Sequence, residues 1–377
     1  MHILIAPNSF KNSLDATSAA EMIQKGLKMS NLNFTSECFP VGDGGDGTGT
    51  LITRKLGGII EKATVKNPVG KEITATYGLI ESKKTAVIEM AQASGIHLLD
   101  PVNLNPLIAS SYGTGQLIRK ALNRGVTKMV ITMGGSATVD GGTGILKALG
   151  GRFLNAYGED LPDGVDAMRD LNSIDLSGID KRINKCRFII LCDVKNKLLG
   201  KQGAAHVFGP QKGATPFQVT ILHHALSQLS KIVLKQTSVD ISAVKHGGAA
   251  GGAAAALHGL LNAELVNGID YFLNLTDFDS SLKKSNLVIT AEGSIDFQTL
   301  KGKGPYGVAR RAKKKGLPVI GLAGNVPLAV NTRLQQHFDV LVAIGNMPSD
   351  MATALSDTSK NIVRTSRQIG NLLAMQP

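Results

Sequence analysis

Two aspartates within a glycine-rich run are the first residues whose types and spacing suggest chemistry. Asp43 and Asp46 alternate with the glycines of segment 42–47, which formally satisfies the dinucleotide pattern GxGxxG but has no convincing strand before it. Carboxylates on a glycine turn would repel a bare pyrophosphate, whereas they suit Mg²⁺, which takes oxygen ligands and often bridges protein to phosphate. We therefore predict a metal-binding turn. The alternative is a turn whose aspartates make only local Asx hydrogen bonds.

A second glycine-rich loop, residues 134–142, follows a predicted strand and precedes a short predicted helix. Glycines leave backbone N–H groups accessible, and two hydroxyls add further donors, so the loop could bind a phosphate. The sequence GxxxxGK[ST] occurs nowhere in the chain, which excludes a P-loop NTPase. A tight turn without a ligand is the alternative. The residues predicted to contact a nucleotide are Gly134, Gly135, Ser136, Ala137, Thr138, Asp140 and Gly141.

Charged residues also follow other predicted strands. Lys11 could neutralise a substrate carboxylate or a phosphoryl group in transfer. Glu292 and Asp296 stand in a polar segment ahead of a helix, where we favour a functional role and an N-capping loop is the alternative. Asp193 ends the apolar run 188–191, where a carboxylate is costly unless it is paired, metal-bound or solvated. We predict that Asp193 is a metal ligand or a general base.

The elements that position these residues form an α/β pattern. Short apolar runs predict strands buried on both faces, as in parallel sheets covered by helices. The runs are 3–5, 129–132, 188–191, 287–289 and 319–322. Ligands of such sheets bind beyond the carboxyl ends of the strands. Because both ends of the chain carry such strand ends, we predict two three-layer α/β domains. Residues 1–62 and 285–377 would form a discontinuous Rossmann-like domain, into which a second domain, residues 63–284, is inserted.

The composition narrows the functional class. Hydrophobic residues make up 43 % of the chain and charged residues 19 %, which excludes a disordered protein. The net charge of +12 comes from scattered lysines, and aromatic residues amount to 4 %, so nucleic-acid binding is not expected. The glycine- and alanine-rich stretch that begins at residue 246 is either a hinge or a closely packed loop, and we favour close packing.

The location and assembly of the chain are predicted from the same composition. Three cysteines without a CxxC pair favour a reducing cytoplasm. No signal-peptide pattern opens the sequence, and no apolar run reaches the roughly 18 residues of a membrane span. We therefore predict a cytoplasmic protein without a membrane association. A homodimer is a possible assembly.

Six segments resemble, in order, the signatures of type I glycerate kinases. They are IAPNSFKNSL, VGDGGDGTGT, MGGSATVDGG, FGPQKGAT, TAEGSIDFQTLKGKGP and VIGLAG. The resemblance spans nearly the whole chain. It implies an enzyme that phosphorylates D-glycerate with ATP and Mg²⁺ to give 2-phosphoglycerate in a cleft between two domains. Transfer to the 3-hydroxyl, or a non-catalytic protein that binds an anionic metabolite, are the alternatives.

The resemblance also implies roles for matching residues. Ser9 and Lys11 match the first signature, Asp43 and Asp46 the second, and Glu292 the fifth, and we expect Ser9, Lys11, Asp43 and Glu292 to bind the substrate. The metal ligands expected from the residues themselves are Asp43, Asp46 and Asp193. The family commonly has Asp at the position of Asn8, Glu at Asp46, Asn at Val139 and Gly at Ala291. An amide at position 8 cannot accept a proton. We therefore assign general-base duty to Asp193 or Asp296, with Lys11 as the catalytic cation.

Overall fold

The computed structural model describes residues 1–329 and 332–375 of the chain. It divides into two compact units. The first consists of Met1–Asp43 and Ile269–Pro377, and the second of Gly44–Gly268. The limits at 62 and 284 that the sequence suggests for the two domains stay a prediction.

The described residues form strands and helices that alternate along most of the chain. The strands are β1 His2–Ile5, β2 Thr35–Cys38, β3 Ile59–Lys66, β4 Glu72–Ile80, β5 Thr85–Glu89, β6 Lys128–Thr132, β7 Arg152–Leu154, β8 Ser173–Asp175, β9 Arg187–Cys192, β10 Glu264–Asn267, β11 Leu287–Ser294, β12 Val319–Asn325 and β13 Val340–Ala343. The α-helices are α1 Ala16–Lys28, α2 Thr48–Lys55, α3 Ala91–Ser94, α4 Tyr112–Asn123, α5 Thr143–Ala148, α6 Ala204–Phe208, α7 Pro216–Thr237, α8 Ala253–Leu261, α9 Gly268–Leu275, α10 Phe278–Leu282, α11 Gly304–Lys314, α12 Thr332–Gln335, α13 Met351–Ser356 and α14 Thr358–Ala374. Short 3₁₀-helices include Pro210–Lys212 and Ala249–Gly252.

The first unit is built on a parallel sheet with the strand order β13-β12-β11-β1-β2. The interior strand β1 consists largely of buried aliphatic residues and pairs with β2 on one side and β11 on the other. The chain adds β2 on the first side and β11, β12 and β13 on the second. The strand order therefore reverses between β1 and β11, and such a reversal is where open α/β sheets usually bind ligands.

The second unit contains a mixed sheet with the order β10-β9-β6-β5-β4-β3. Strands β5, β6, β9 and β10 are parallel, while β3, β4 and β5 form antiparallel pairs. Met129, Val130 and Ile131 in β6 have no exposed surface, as expected for a strand covered on both faces. The observed sheets confirm the predicted α/β class.

The glycine- and alanine-rich stretch packs closely against the loop that follows β6. A Cβ atom on Gly251 would lie 2.1 Å from the carbonyl oxygen of Thr138, and Gly251 has a φ of +62°. The Gly251 carbonyl also accepts a hydrogen bond from the backbone N–H of Gly141, at 3.1 Å. These contacts confirm the prediction that this stretch is a closely packed loop and not a hinge. Among the described residues, no helix has the length and apolar character needed to cross a membrane.

Candidate active site

In the first unit, polar residues follow β1 and β2 and form the last part of β11. They lie at the carboxyl ends of these parallel strands, where the strand order reverses. Asp43 joins two of these segments. The Asn8 side chain donates to Asp43 Oδ2 at 3.0 Å, and the backbone N–H of Gly304, at the start of α11, donates to the same oxygen at 3.1 Å. A carboxylate is favoured at a helix N-terminus. The amide of Asn8 provides the donor that a carboxylate at this position would lack when ionised.

Glu292 lies near the end of β11 and is 9 % exposed. Its Oε1 accepts from Lys303 Nζ at 3.2 Å, while its Oε2 is buried without a hydrogen-bond partner in the described structure. Burial raises the pKa of Glu292 to about 7; the charges of Asp43 and Asp296 act in the same direction and Lys303 opposes them. Its carboxyl group can therefore accept or release a proton near neutral pH.

The carboxylate of Asp296 is engaged by its own turn. Its Oδ1 accepts from the backbone N–H of Gln298 at 2.7 Å, and its Oδ2 accepts from the Ser294 hydroxyl at 3.2 Å. These contacts close a local Asx-type turn. The N-cap residue of α11, Lys303, makes no side-chain capping hydrogen bond, so the N-capping alternative raised from the sequence is not observed for this helix. Each carboxylate oxygen has two lone pairs, so Asp296 can keep these bonds and still accept a proton from a substrate.

Ser9 and Lys11 lie beside the end of β11. Ser9 is half-buried and its backbone N–H donates to Asn8 Oδ1 at 2.8 Å, whereas Lys11 is exposed. The backbone nitrogen of Lys11 would lie 3.7 Å from a Cβ atom on Gly293. Four predicted site residues therefore lie at the carboxyl ends of the strands of the first unit: Ser9, Lys11, Asp43 and Glu292.

In the second unit, the turn that contains Asp46 packs against the loop after β6, and glycines form the contact on both sides. The backbone N–H of Gly134 donates to the Gly44 carbonyl at 2.9 Å. A Cβ atom on Gly135, where φ is +70°, would lie 1.8 Å from Asp46 Oδ1. Only glycine fits there, so the carboxylate of Asp46 lies directly against the predicted phosphate loop.

Glu89, a residue for which the sequence suggests no role, fixes this turn. It is the last residue of β5 and is 4 % exposed. Its Oε2 accepts from the Gly47 backbone N–H at 2.7 Å, and its Oε1 accepts from the Thr50 backbone N–H at 2.7 Å and hydroxyl at 2.9 Å. Burial raises the pKa of the Glu89 carboxyl, and the charge of Asp46 acts in the same direction. Glu89 therefore holds the first turn of α2 and the segment that precedes it.

Asp140, predicted to contact a nucleotide, has its carboxylate occupied by hydrogen bonds from the protein. Oδ2 accepts from the Ser111 backbone N–H at 2.8 Å, the Ser111 hydroxyl at 2.7 Å and the Gly144 backbone N–H at 3.2 Å. Oδ1 accepts from the Gly142 backbone N–H at 3.1 Å. These contacts support a structural role in which Asp140 sets the path of the loop into α5.

Lys212 is a second residue to which sequence reasoning gave no role. It is 5 % exposed, and its Nζ donates to Ser136 Oγ at 2.8 Å and to the Thr138 carbonyl at 2.7 Å. Burial lowers the pKa of Lys212 to about 7, although the charges of Asp140 and Asp193 oppose that shift. The signal that could have found it is its segment, FGPQKGAT, one of the six that resemble the family signatures.

The predicted metal ligands are distributed over both units. Asp43 belongs to the first unit, and Asp46 and Asp193 belong to the second. Asp193 follows β9 and is partly buried. Across residues 1–329 and 332–375, no group of three or more His, Cys, Asp or Glu side chains is arranged to hold a metal ion. Mg²⁺ commonly uses one or two protein carboxylates and takes its other ligands from water and phosphates, so these aspartates still fit it chemically.

Comparison with known proteins gives consistent matches along the chain. A family model described as the glycerate kinase family matches residues 3–374. The glycerate kinase of Bacillus subtilis strain 168 is 41 % identical over 369 residues, covering 98 % of this chain and 97 % of that protein. The glycerate 2-kinase of Escherichia coli K12 is 40 % identical over 380 residues, covering 100 % of this chain and 98 % of that protein. A crystal structure from Salmonella typhimurium LT2, assigned as glycerate kinase 2, is 40 % identical with a TM-score of 0.82, covering 99 % of this chain and 98 % of that one.

Proposed function

The chain belongs to the glycerate kinase family, and from this premise we propose that it transfers the γ-phosphoryl group of ATP to the 2-hydroxyl of D-glycerate. The observation that carries the proposal is 40 % identity to a named glycerate 2-kinase over essentially the whole of both chains. The hydroxyl oxygen forms a bond to the γ-phosphorus, and the bond from that phosphorus to the β–γ bridging oxygen breaks. ADP leaves with the electron pair, and the hydroxyl proton passes to a base.

Ser9, Lys11, Asp43 and Glu292 are proposed to bind D-glycerate. A glycerate ion has one carboxylate and two hydroxyl groups. The ammonium group of Lys11 suits the carboxylate, and Glu292 Oε2, which is buried without a partner in the described structure, suits a hydroxyl group. Lys11 is also the proposed catalytic cation, which would neutralise the phosphoryl group during transfer.

The loop from Gly134 to Gly141 is proposed to bind the phosphates of ATP. Its support is chemical: the loop lies at a strand end, Gly135 is partly exposed, and the Ser136 hydroxyl adds a donor. The backbone N–H groups of Gly134 and Gly141 are bonded to the carbonyls of Gly44 and Gly251, so these two glycines would shape the loop. The four hydrogen bonds that Asp140 accepts favour a supporting role for that residue within the loop.

Mg²⁺ is proposed to bind at Asp43, Asp46 and Asp193, where it would reduce the repulsion between the triphosphate and the approaching hydroxyl. The exposed carboxylate of Asp46, which lies beside Gly135 of the phosphate loop, is the feature that best supports this assignment.

The general base is proposed to be Asp193 or Asp296. Both oxygens of Asp296 already accept hydrogen bonds within its turn. We expect Asp193→Asn to lower kcat by about 10²- to 10⁴-fold with ATP binding largely retained, the usual range for loss of a general base. Asp296→Asn should lower kcat over the same range if Asp296 is the base. Near-normal turnover in both variants would exclude both assignments.

The reaction itself is tested by following ADP release with a coupled assay in the presence of ATP, Mg²⁺ and D-glycerate. We expect ADP release that saturates with D-glycerate and is negligible without it. ADP release that does not depend on D-glycerate would contradict the proposed acceptor.

The cytoplasm is the proposed location, and a homodimer is the proposed assembly. Cys38, Cys186 and Cys192 are free thiols in the structure, which is compatible with a reducing compartment. Burial raises the pKa of Cys186 to about 11, so this thiol is a weak nucleophile. Size-exclusion chromatography with light scattering would decide the assembly.

A further inference from the structure

Lys212 carries an amine in a buried position where lysines are rarely found. It ends the 3₁₀-helix Pro210–Lys212 between Gly209 and Gly213, and only 5 % of its surface is exposed. Burying a charged amine is costly unless another group compensates for it. Both of its hydrogen-bond acceptors, the Ser136 hydroxyl and the Thr138 carbonyl, are neutral oxygens. These two bonds use two of the three N–H donors that an ammonium group carries.

The contact with Ser136 determines how that hydroxyl can be used. A serine hydroxyl has one proton to donate, and Ser136 Oγ already accepts a hydrogen bond from Lys212 at 2.8 Å. Its proton must therefore point away from the amine. The adjacent residue on the same loop, Gly135, is partly exposed. A phosphate that reaches this hydroxyl would meet a donor whose oxygen is already bonded to the Lys212 amine.

Thr138 provides a second, independent observation on the same loop. Its side chain has no exposed surface, and its Oγ1 has no hydrogen-bond partner in the described part of the chain. A buried hydroxyl without a partner costs free energy, and such groups in folded proteins often mark functional sites. The carbonyl of the same residue is held by Lys212 and lies against Gly251. Lys212 and Gly251 therefore hold the backbone of the loop at Thr138, while the buried Thr138 hydroxyl has no partner in the described part of the chain.

We propose that Lys212 is the positioning residue of the nucleotide-phosphate subsite: it orients the Ser136 hydroxyl, holds the Thr138 backbone and supplies positive charge to the loop 134–141. This inference rests on the proposed function, in which ATP is the phosphoryl donor. Phosphate loops of the Walker type use a lysine within the loop motif GxxxxGK[ST] itself, and the chain has no such sequence. Here the cation comes from a segment more than seventy residues further along the chain, as the separation of 76 between Lys212 and Ser136 shows.

The test compares Lys212→Met with Lys201→Met, in which an exposed lysine near the same segment is changed. Binding of Mg-ADP is measured by isothermal titration calorimetry, and KM for ATP and for D-glycerate by the coupled assay. We expect Lys212→Met to weaken Mg-ADP binding and raise KM for ATP by about 10- to 100-fold, the range for losing one charge-assisted hydrogen bond. KM for D-glycerate should change by less than about two-fold. Lys201→Met should match the parent protein.

A purely structural lysine gives a different result. Lys212→Met would then unfold at a lower temperature, while its folded fraction would bind Mg-ADP with the parent affinity; that result would overturn the proposal. If Lys212→Met does not fold, Ser136→Ala tests the same contact and leaves the Lys212 bond to Thr138 in place. We expect Ser136→Ala to bind Mg-ADP about 5- to 10-fold more weakly, as for loss of one neutral hydrogen bond. Unchanged affinity would refute the proposed orientation of the hydroxyl.

Failure of the inference can be distinguished from failure of the proposed function. If the parent protein phosphorylates D-glycerate and the Lys212 and Ser136 variants keep its KM for ATP, the kinase assignment stands and the inference fails. If the parent protein binds Mg-ADP in a Lys212-dependent manner but makes no phosphoglycerate, the inference stands and the acceptor assignment fails.

Discussion

Replacing Glu89 with glutamine tests whether a buried carboxylate holds the Asp46 turn. The native side chain accepts hydrogen bonds from Gly47 N–H through Oε2, and from Thr50 N–H and Oγ–H through Oε1. Glutamine has almost the same shape but one acceptor oxygen. If that oxygen keeps the two Thr50 donors, the amide NH₂ group faces the Gly47 N–H, and two donors oppose each other.

The expected loss follows from these contacts. One charge-assisted hydrogen bond is worth about 1.5–3 kcal/mol, and the two that remain become neutral and weaker. Relief from burying a charge offsets part of this loss, since burial raises the pKa of Glu89. We therefore expect Glu89→Gln to destabilise the second unit by about 2 kcal/mol. For a unit of this size, that corresponds to a fall in Tm of roughly 4–8 °C.

Hydrogen exchange at individual backbone amides is the direct assay. A loss of about 2 kcal/mol should speed exchange at the Gly47 and Thr50 amides by about 30-fold if these groups exchange by local opening. The matched control is Glu72→Gln, which changes an exposed glutamate on β4 and should leave both amides and the Tm unchanged. Parent-like protection of Gly47 and Thr50 in Glu89→Gln would refute the argument that this carboxylate fixes the turn.

Three further perturbations follow from the same geometry. Gly135→Ala places a Cβ atom 1.8 Å from Asp46 Oδ1 at a φ of +70°. We therefore expect the free energy of unfolding, measured with denaturant, to fall by about 1–3 kcal/mol and KM for ATP to rise. Unchanged values would contradict that contact. Glu292 has a pKa of about 7 in the folded protein against an ordinary 4.5. Its contribution to the free energy of unfolding therefore falls by up to about 3 kcal/mol as pH rises from about 4.5 to 7. Urea unfolding of Glu292→Gln from pH 5 to 8 should lack that fall. Lys212 has a pKa of about 7, so it is mostly neutral at pH 8, and nearby phosphates should raise that pKa. Calorimetry at pH 8 in buffers of different ionisation enthalpy should therefore show that the protein takes up to about one proton when it binds Mg-ADP. Lys212→Met should show no such uptake.

The strand positions could be predicted because buried parallel strands leave a simple pattern in the sequence. The runs at 129–132 and 188–191 lie within β6 and β9 of the structure. Pro305 occurs in the first turn of α11, where its missing N–H is tolerated. Local signals of this kind depend on a few neighbouring residues and therefore survive without knowledge of the tertiary structure.

The contacts of individual polar groups could not be predicted in this way. Glu89 closes a strand of five buried residues, and its partner Thr50 is 39 positions away. The carboxylate of Asp140 meets Ser111 across a separation of 29 residues. No periodicity connects such positions, since tertiary packing alone brings them together. Sequence reasoning therefore found the loops that carry the candidate site but missed the buried charges that hold those loops in place.

The most direct test of the central claim is ³¹P NMR of the product formed from ATP, Mg²⁺ and D-glycerate by the parent protein. We predict that the resonance of a 2-phosphate ester of glycerate grows in step with ADP and that inorganic phosphate does not accumulate. A 3-phosphate ester would contradict the assigned hydroxyl, and ADP accompanied only by inorganic phosphate would contradict glycerate as the acceptor.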